Sequence, residues 1–274
     1  MKILCPTDFS SAATNGIEYA AKLAQKMNAT LMLLNVQRLY LAEGVNLFAG
    51  GEPESVTEAK VADKMLEDVS RDINKSFKVS CSHEIIPTMS FYEKAIADEA
   101  GKYNLTVIGT NGADGAYEFY FGSNSFRVAR NTLSPVLIVP EECEFKEITN
   151  VVFASDYNTG DELLLQQLKE FTIAFAPQLH VLHISNKNTE VSKEVYRSFC
   201  NLTEEALDYD RKIEFKRIVA EDAADAIDDY MHQTNADILA TYFQPHGILY
   251  RMFHQNLIKK ITSNADFPML IFHK

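Results

Sequence analysis

The chain repeats one short pattern, and this repeat limits its fold more than any other feature of the sequence. Residues 2–8 form an apolar run that ends in an aspartate, and residues 150–156 form another such run 148 positions later (150 − 2 = 148). The apolar run at 31–36 recurs with the same offset at 179–184. A chain of 274 residues is long enough for two domains of ordinary size. The sequence therefore predicts two tandem copies of one unit.

A second set of matches shows that the later copy is shorter. Residues 107–110 correspond to residues 238–241 at an offset of 131 (238 − 107 = 131), which is 17 less than the first offset (148 − 131 = 17). The aperiodic, glycine-containing segment 39–57 reads as a loop or lid. We attribute the shortening to the absence of this segment from the second copy.

Apolar runs alternate with helical patterns in each copy, which predicts a parallel sheet covered by helices on both faces. We predict an α/β fold made of two tandem Rossmann-like domains, residues 1–140 and 150–274, joined by a charged linker at 141–149. The fifth strands of both copies are apolar sheet edges, which invite pairing. We expect residues 136–139 and 269–272 to pair antiparallel as an intrachain pseudo-dimer, an arrangement compatible with a homodimer of the whole chain.

Composition excludes several classes of partner. The chain has 38 acidic and 26 basic residues, a net charge of −12. Nucleic acids and anionic membranes select basic surfaces, so neither is expected as a partner. The four cysteines lack CxxC spacing, and no apolar run suits a signal peptide or a membrane helix. We therefore predict a cytoplasmic protein with reduced thiols.

One segment of the first copy carries candidate chemistry. An apolar strand runs into Gly109 and Gly112, and nine residues later Gly122 and Ser123 precede a helical pattern that includes Ser125. Glycine permits a tight turn and a close approach of a ligand. The first N–H groups of a helix have no partner within it and suit an anion. The pattern predicts a phosphate site; the alternative is that the glycines only permit the turn.

The spacing Gly-x2-Gly-x9-Gly-Ser resembles the ATP-binding signature of the universal stress protein family. It is neither a P-loop nor a Rossmann fingerprint. The resemblance to tandem members of that family covers nearly the whole chain, and it implies the strand order 3-2-1-4-5 in each copy. It also implies ATP as the ligand, with Mg²⁺ or Mn²⁺ held mainly by the phosphates.

The resemblance further implies which residues contact the nucleotide. Pro6, Thr7 and Asp8 would line the nucleoside pocket, and the backbone of Asn35 or Val36 would meet the adenine edge. The phosphates would be held by Gly109, Gly112, Gly122, Ser123 and Ser125.

Asp8 also has a purely structural interpretation. It lies at a predicted helix start with Ser10 or Ser11 as the N-cap, where a capping carboxylate is common. Asp156 keeps this aspartate in the second copy, which favours the structural interpretation.

The charges around the predicted phosphate loop are unusual for a nucleotide site. Residues 113–121 contain Asp114 and Glu118 and no basic residue. Two carboxylates would repel a triphosphate unless a divalent cation intervenes or they turn away. Arg127 and Arg130 in the following helix could neutralise the phosphates or simply form a solvated surface.

The second copy lacks the glycines. Ala240 replaces Gly109 and Phe243 replaces Gly112. Alanine takes the glycine turn only at a cost, and we expect the phenyl ring to fill the phosphate space, so we predict no ATP there by this mode.

His180 and His183 do not predict a metal site, because residues three apart in a strand point to opposite faces. We predict no metal bound by protein ligands alone.

These observations favour a regulatory stress-response protein that binds ATP in the N-terminal copy and acts on a protein partner that the sequence does not identify. No general base or catalytic signature is found in the sequence, so we do not predict an enzyme. The alternatives are a slow ATPase and an interaction scaffold that needs no nucleotide.

Overall fold

The computed structural model describes seven stretches of the chain. These are residues 1–38, 54–110, 123–156, 162–185, 192–207, 213–243 and 267–273. Strands and helices alternate along them, and no described helix has the length and apolar content needed to cross a membrane.

The first half of the chain contains five strands and four helices among the described residues. They are β1 (Lys2–Pro6), α1 (Ser11–Met27), β2 (Thr30–Arg38), α2 (Glu54–Phe77), β3 (Cys81–Thr88), α3 (Tyr92–Ala100), β4 (Leu105–Thr110), α4 (Ser123–Asn131) and β5 (Val136–Pro140).

The second half follows the same order in its described residues. Its elements are β6 (Asn150–Ala154), α5 (Glu162–Thr172), β7 (Gln178–Ser185), α6 (Lys193–Leu207), β8 (Ile213–Val219), α7 (Ala223–Thr234), β9 (Ile238–Phe243) and β10 (Met269–His273).

All ten strands form one continuous sheet in the order β3-β2-β1-β4-β5-β10-β9-β6-β7-β8. Each half therefore has the predicted order 3-2-1-4-5, with its own strands parallel. The predicted antiparallel pairing of the two fifth strands is confirmed, with Leu270 opposite Leu137. Apolar residues fill both faces of this sheet, which explains the near-continuous apolar runs of the strands.

The segment predicted as a loop or lid is shorter than expected, because α2 already begins at Glu54. Residues 39–53 lie outside the described residues. α2 has 24 residues and the described part of α6 has 15, but residues 208–212 after α6 lie outside the described ones, so the attribution of the shortening to 39–57 stays a prediction.

The connector at 141–149 packs against the first half. The Phe145 ring meets Tyr19 of α1 edge to face, with ring centroids 5.0 Å apart. Cys143 and Ile148 are buried, and the Lys26 ammonium lies 2.8 Å from a Glu147 carboxylate oxygen. The connector is therefore part of the packed structure rather than a solvated tether, and the division into two domains around it stays a prediction.

Candidate functional site

The turn between β1 and α1 is built by local hydrogen bonds. Buried Thr7 donates its N–H to the Leu34 carbonyl (2.8 Å) and accepts the Phe9 N–H at its hydroxyl (3.0 Å). The Ser10 N–H donates to the carboxylate of exposed Asp8 (3.0 Å). Phe9 has a φ of 64°, a left-handed conformation that non-glycine residues rarely adopt. Asp8 thus shapes the turn, and its exposed side chain is also accessible to a ligand.

Ser10 is the N-cap of α1, as one of the two predicted alternatives has it. Its hydroxyl accepts the Ala13 N–H (3.2 Å), which satisfies one of the N–H groups that the first helical turn leaves unpaired.

Asn35 links β2 to this turn through its side chain. Its amide nitrogen donates to the Thr7 carbonyl (2.8 Å) in a buried position. The neighbouring strands β1 and β4 are where the chain order of the sheet reverses, so a crevice at their carboxyl ends is the usual ligand position in such folds. Pro6 ends β1 at this edge, and half-buried Val36 lies in β2 beside Asn35.

Gly109 has a packing role that the sequence interpretation missed. A Cβ atom built on Gly109 would lie 1.9 Å from the Ala12 carbonyl oxygen, and one built on Gly16 would lie 2.6 Å from the Gly109 nitrogen. The two glycines therefore let α1 lie directly on the backbone of β4. This contact alone requires glycine at 109, so its presence is not evidence for phosphate binding. Gly16 could have been noticed as the single glycine within the helical pattern of 11–27.

The remaining predicted phosphate residues are only partly described. Gly112 and Gly122 lie outside the described residues, as do Asp114 and Glu118. Ser123 begins α4 and Ser125 is buried in the first turn of that helix.

Arg127 has a partner that the sequence did not reveal. Its guanidinium lies 3.0 Å from a carboxylate oxygen of Glu93, on α3. Arg127 therefore already has a counter-charge in Glu93. Arg130, one turn later, is exposed.

The second half repeats, at the offset of 148, the two hydrogen bonds that join the turn after β1 to β2. We call this pair of hydrogen bonds the frame of each half. The Ser155 N–H donates to the Leu182 carbonyl (2.9 Å), as Thr7 does to Leu34. His183 takes the position of Asn35, and its Nδ1–H donates to the Ser155 carbonyl (2.8 Å). The two halves therefore share one scaffold for the turn after their first strand.

A tyrosine makes the turn of the second half different from that of the first. Asp156 donates its N–H to the hydroxyl of Tyr242 (3.3 Å), whose ring is buried. The residue at the corresponding position of the first half is Asn111 (242 − 131 = 111), which has no ring. Tyr242 therefore lies against the turn of the second half, whereas the corresponding residue of the first half carries no ring.

The expectation that Phe243 fills the phosphate space stays a prediction, because the residues that follow β9 lie outside the described ones. The Phe243 ring centroid lies 6.1 Å from that of Phe126 on α4, a contact that crosses the β5–β10 junction, and 6.2 Å from that of His273 on the neighbouring strand β10. Because β9 extends to residue 243, Phe243 and Tyr242 point to opposite faces of the sheet. The ring beside the second turn is that of Tyr242.

His180 and His183 lie on opposite sides of β7, as the strand period predicts. The Nδ1 of His180 is 3.3 Å from the Tyr230 hydroxyl and 3.6 Å from a Glu214 oxygen, whereas His183 bonds to Ser155. Burial lowers the pKa of His180, and Glu214 partly opposes this shift.

The lowered pKa of His180 predicts a loss of stability in acid. Below the ordinary histidine pKa of about 6.5, the unfolded chain takes up a proton that folded His180 resists. The free energy of unfolding should therefore fall as the pH drops from 7 towards 5. The His180→Gln variant should show a shallower decline in its free energy of unfolding over this range, measured by urea unfolding. Equal slopes for the variant and the wild type would refute the assignment.

The described strands define an α/β protein in which one sheet contains the same parallel arrangement twice, each with a switch point between its first and fourth strands. The sequence model described as the universal stress protein family matches residues 1–140. The chain belongs to the universal stress protein family.

Its relatives match over almost their full length. The universal stress protein Slr1230 of Synechocystis is 22% identical, with 98% of this chain and 99% of that protein covered. The crystal structure of a universal stress protein from Archaeoglobus fulgidus superposes with a TM-score of 0.75 at 16% identity, covering 99% and 98% of the two chains. A putative universal stress protein from Pseudomonas aeruginosa gives a TM-score of 0.57 at 14% identity, with 99% and 92% covered. These structures support the fold.

Proposed function

We propose that this chain is a cytoplasmic, ATP-binding regulatory protein of the stress response, with one nucleotide bound in the N-terminal half. The observation that carries the proposal is the difference between the two turns. Both halves build the same hydrogen-bonded frame, but the buried ring of Tyr242 lies against it in the second half, where the first half has Asn111. A nucleoside could therefore enter beside Thr7 and Asp8, but not beside Asp156.

The proposed binding mode uses the carboxyl ends of β1, β2 and β4 for the nucleoside and the start of α4 for the phosphates. Exposed Asp8 would contact the sugar or base, and the backbone of Asn35 or Val36 would meet the adenine edge. The first turn of α4, with Ser123 and Ser125, would receive the phosphates, because helix N-termini favour anions. Mg²⁺ or Mn²⁺ would accompany the phosphates and offset nearby carboxylates.

The duplicated frame provides a matched test of this proposal. Calorimetric titration with ATP and Mg²⁺ should give about one site per chain. We expect Asp8→Ala to weaken ATP binding at least tenfold, about 1.4 kcal/mol, while Asp156→Ala leaves the affinity unchanged. The Asp8→Asn variant keeps an acceptor for the Ser10 N–H but loses the negative charge. It therefore shows whether Asp8 affects ATP binding through the turn or through its charge. Equal effects of Asp8→Ala and Asp156→Ala, or two sites per chain, would contradict the proposal.

Phosphate release distinguishes regulation from slow hydrolysis. The proposal assigns no catalytic base, so release over hours should equal that of ATP in buffer. Sustained release by the wild type that Asp8→Ala abolishes would favour the slow ATPase. No binding of ATP, AMP or other adenosine compounds by the wild type would favour the nucleotide-independent scaffold.

A further inference from the structure

An open groove of about 1180 Å³ runs beside α5, at the amino-terminal ends of strands whose carboxyl ends face the proposed nucleotide site. It lies between α5, α6 and the amino-terminal ends of β4 and β5, and β10 forms part of its floor. Three apolar side chains on it are exposed: Leu133 by 80%, Ile173 by 71% and Met1 by 43%. Exposed apolar groups gathered at one concave place are typical of binding surfaces.

The internal repeat gives this groove a counterpart in the other half. The corresponding space, beside α1, holds only a cleft of about 230 Å³. Asn104 in the large groove corresponds to Asn235 in the small one (235 − 104 = 131), and Gln167 corresponds to Tyr19 (167 − 19 = 148). The two places are thus equivalent positions of one repeated unit, and they differ in what covers them.

The connector covers the smaller cleft, and its contacts show how such a place is filled. It is neither helix nor strand, and it places Cys143, Phe145 and Ile148 against the protein. The Asn15 amide donates to the carbonyls of Pro140 (2.9 Å) and Cys143 (3.0 Å), which fixes the backbone of the connector. An extended segment with an aromatic anchor is therefore an occupant that this scaffold accepts.

The large groove retains the features needed for a similar occupant. No segment among the described residues crosses it as the connector crosses α1. The Oε1 atom of Gln167, where the other half has Tyr19, is buried without a hydrogen-bond partner among the described residues. Buried acceptors are nearly always satisfied, so a backbone N–H in the groove would complete this one once the Gln167 amide turned towards the groove.

The charges on the rim of the groove indicate which charge a bound segment should carry. Glu170 and Glu205 are exposed beside the groove, whereas Lys169 is half-buried with its ammonium 3.5 Å from the Ala206 carbonyl. The whole chain carries a net charge of −12. Basic side chains would be favoured opposite the two glutamates, and acidic ones would be repelled.

We propose that this groove binds an extended segment of a protein partner, with an aromatic side chain packed between Leu133 and Ile173 and basic side chains opposite Glu170 and Glu205. The site is independent of the proposed nucleotide site. In this proposal the bound segment packs beside α5 as the connector packs beside α1.

A labelled peptide tests this proposal on the full chain. The probe is a fluorescein-labelled nonapeptide with the sequence of residues 141–149, in which all four glutamates are replaced by glutamine. Fluorescence anisotropy should show binding that weakens about tenfold when the phenylalanine of the peptide is replaced by alanine. The unmodified acidic peptide should also bind about tenfold more weakly. The protein variant Leu133→Ser/Ile173→Ser should reduce affinity by a similar factor, and Glu170→Gln/Glu205→Gln should reduce it severalfold.

The control variants carry the same chemical change elsewhere. Val61→Ser and Val219→Ser alter apolar residues that are 57% and 59% exposed and do not line the groove, so both should bind the peptide as the wild type does. The proposal is overturned if the peptide does not bind up to about 1 mM, or if it binds the groove variant as tightly as the wild type. It is also overturned if sedimentation shows that the wild type self-associates and the groove variant does not, since the occupant would then be a second copy of this chain.

Discussion

The Gly109→Ala variant is expected to lose about 3 kcal/mol of unfolding free energy, the upper end of the usual cost of overpacking. A Cβ atom at this position would meet the Ala12 carbonyl oxygen at 1.9 Å and the Ala12 carbonyl carbon at 2.6 Å. Both atoms are backbone, so no side chain can rotate away and α1 itself must move. Since domains are stable by about 5–15 kcal/mol, the loss should appear as a clear shift of the urea midpoint.

Two further glycines make the prediction specific. Gly16→Ala should also destabilise, because its Cβ atom would lie 2.6 Å from the Gly109 nitrogen. The double variant Gly16→Ala/Gly109→Ala should lose less unfolding free energy than the sum of the two single losses, because either substitution alone already lifts α1 from β4. Gly101→Ala is the control, because the Asp98 carbonyl oxygen would lie 3.7 Å from its Cβ atom, which is an ordinary contact distance. Its stability should be unchanged or slightly raised.

A Gly109→Ala protein with wild-type stability and weakened ATP binding would contradict this account. It would return Gly109 to the phosphate role that the glycine spacing suggests. Loss of stability with ATP affinity preserved at low temperature would support the packing role instead.

The architecture could be predicted because it depends on periodicity. Apolar runs and helical spacing are repeated in the chain, and the strand order and the antiparallel junction of the fifth strands followed from them and from the family resemblance. The prediction failed at the start of one helix. The composition of 54–57 does not reveal that α2 begins at Glu54.

The candidate site was predictable only in position. The ends of β1 and β4 were expected beside the crevice, but the contacts there depend on which way each residue faces. Gly109 faces α1, and Phe243 at the end of β9 faces Phe126 of α4. Spacing along the chain does not encode such contacts, which form between elements distant in sequence.

The Leu270→Asp variant should fail to fold at neutral pH. Leu270 is fully buried in β10, where it lies opposite Leu137 of β5 and beside Ala240 of β9. Removing a buried leucine side chain costs about 2–5 kcal/mol, and a buried carboxylate without a partner adds a further penalty. The sum is comparable to the whole stability of a domain. Circular dichroism should show the loss of most native structure at 25 °C.

The variant also tests whether the halves fold together. Because β5 and β10 pair within one sheet, loss of β10 exposes the apolar edge of β5, so amide hydrogen exchange should accelerate in β4 and β5 as well as in β9. Leu133→Asp makes the same chemical change at a side chain that is 80% exposed and should stay within about 0.5 kcal/mol of the wild type. If β4 and β5 of Leu270→Asp keep wild-type protection, the first half folds autonomously and the junction joins two independent domains.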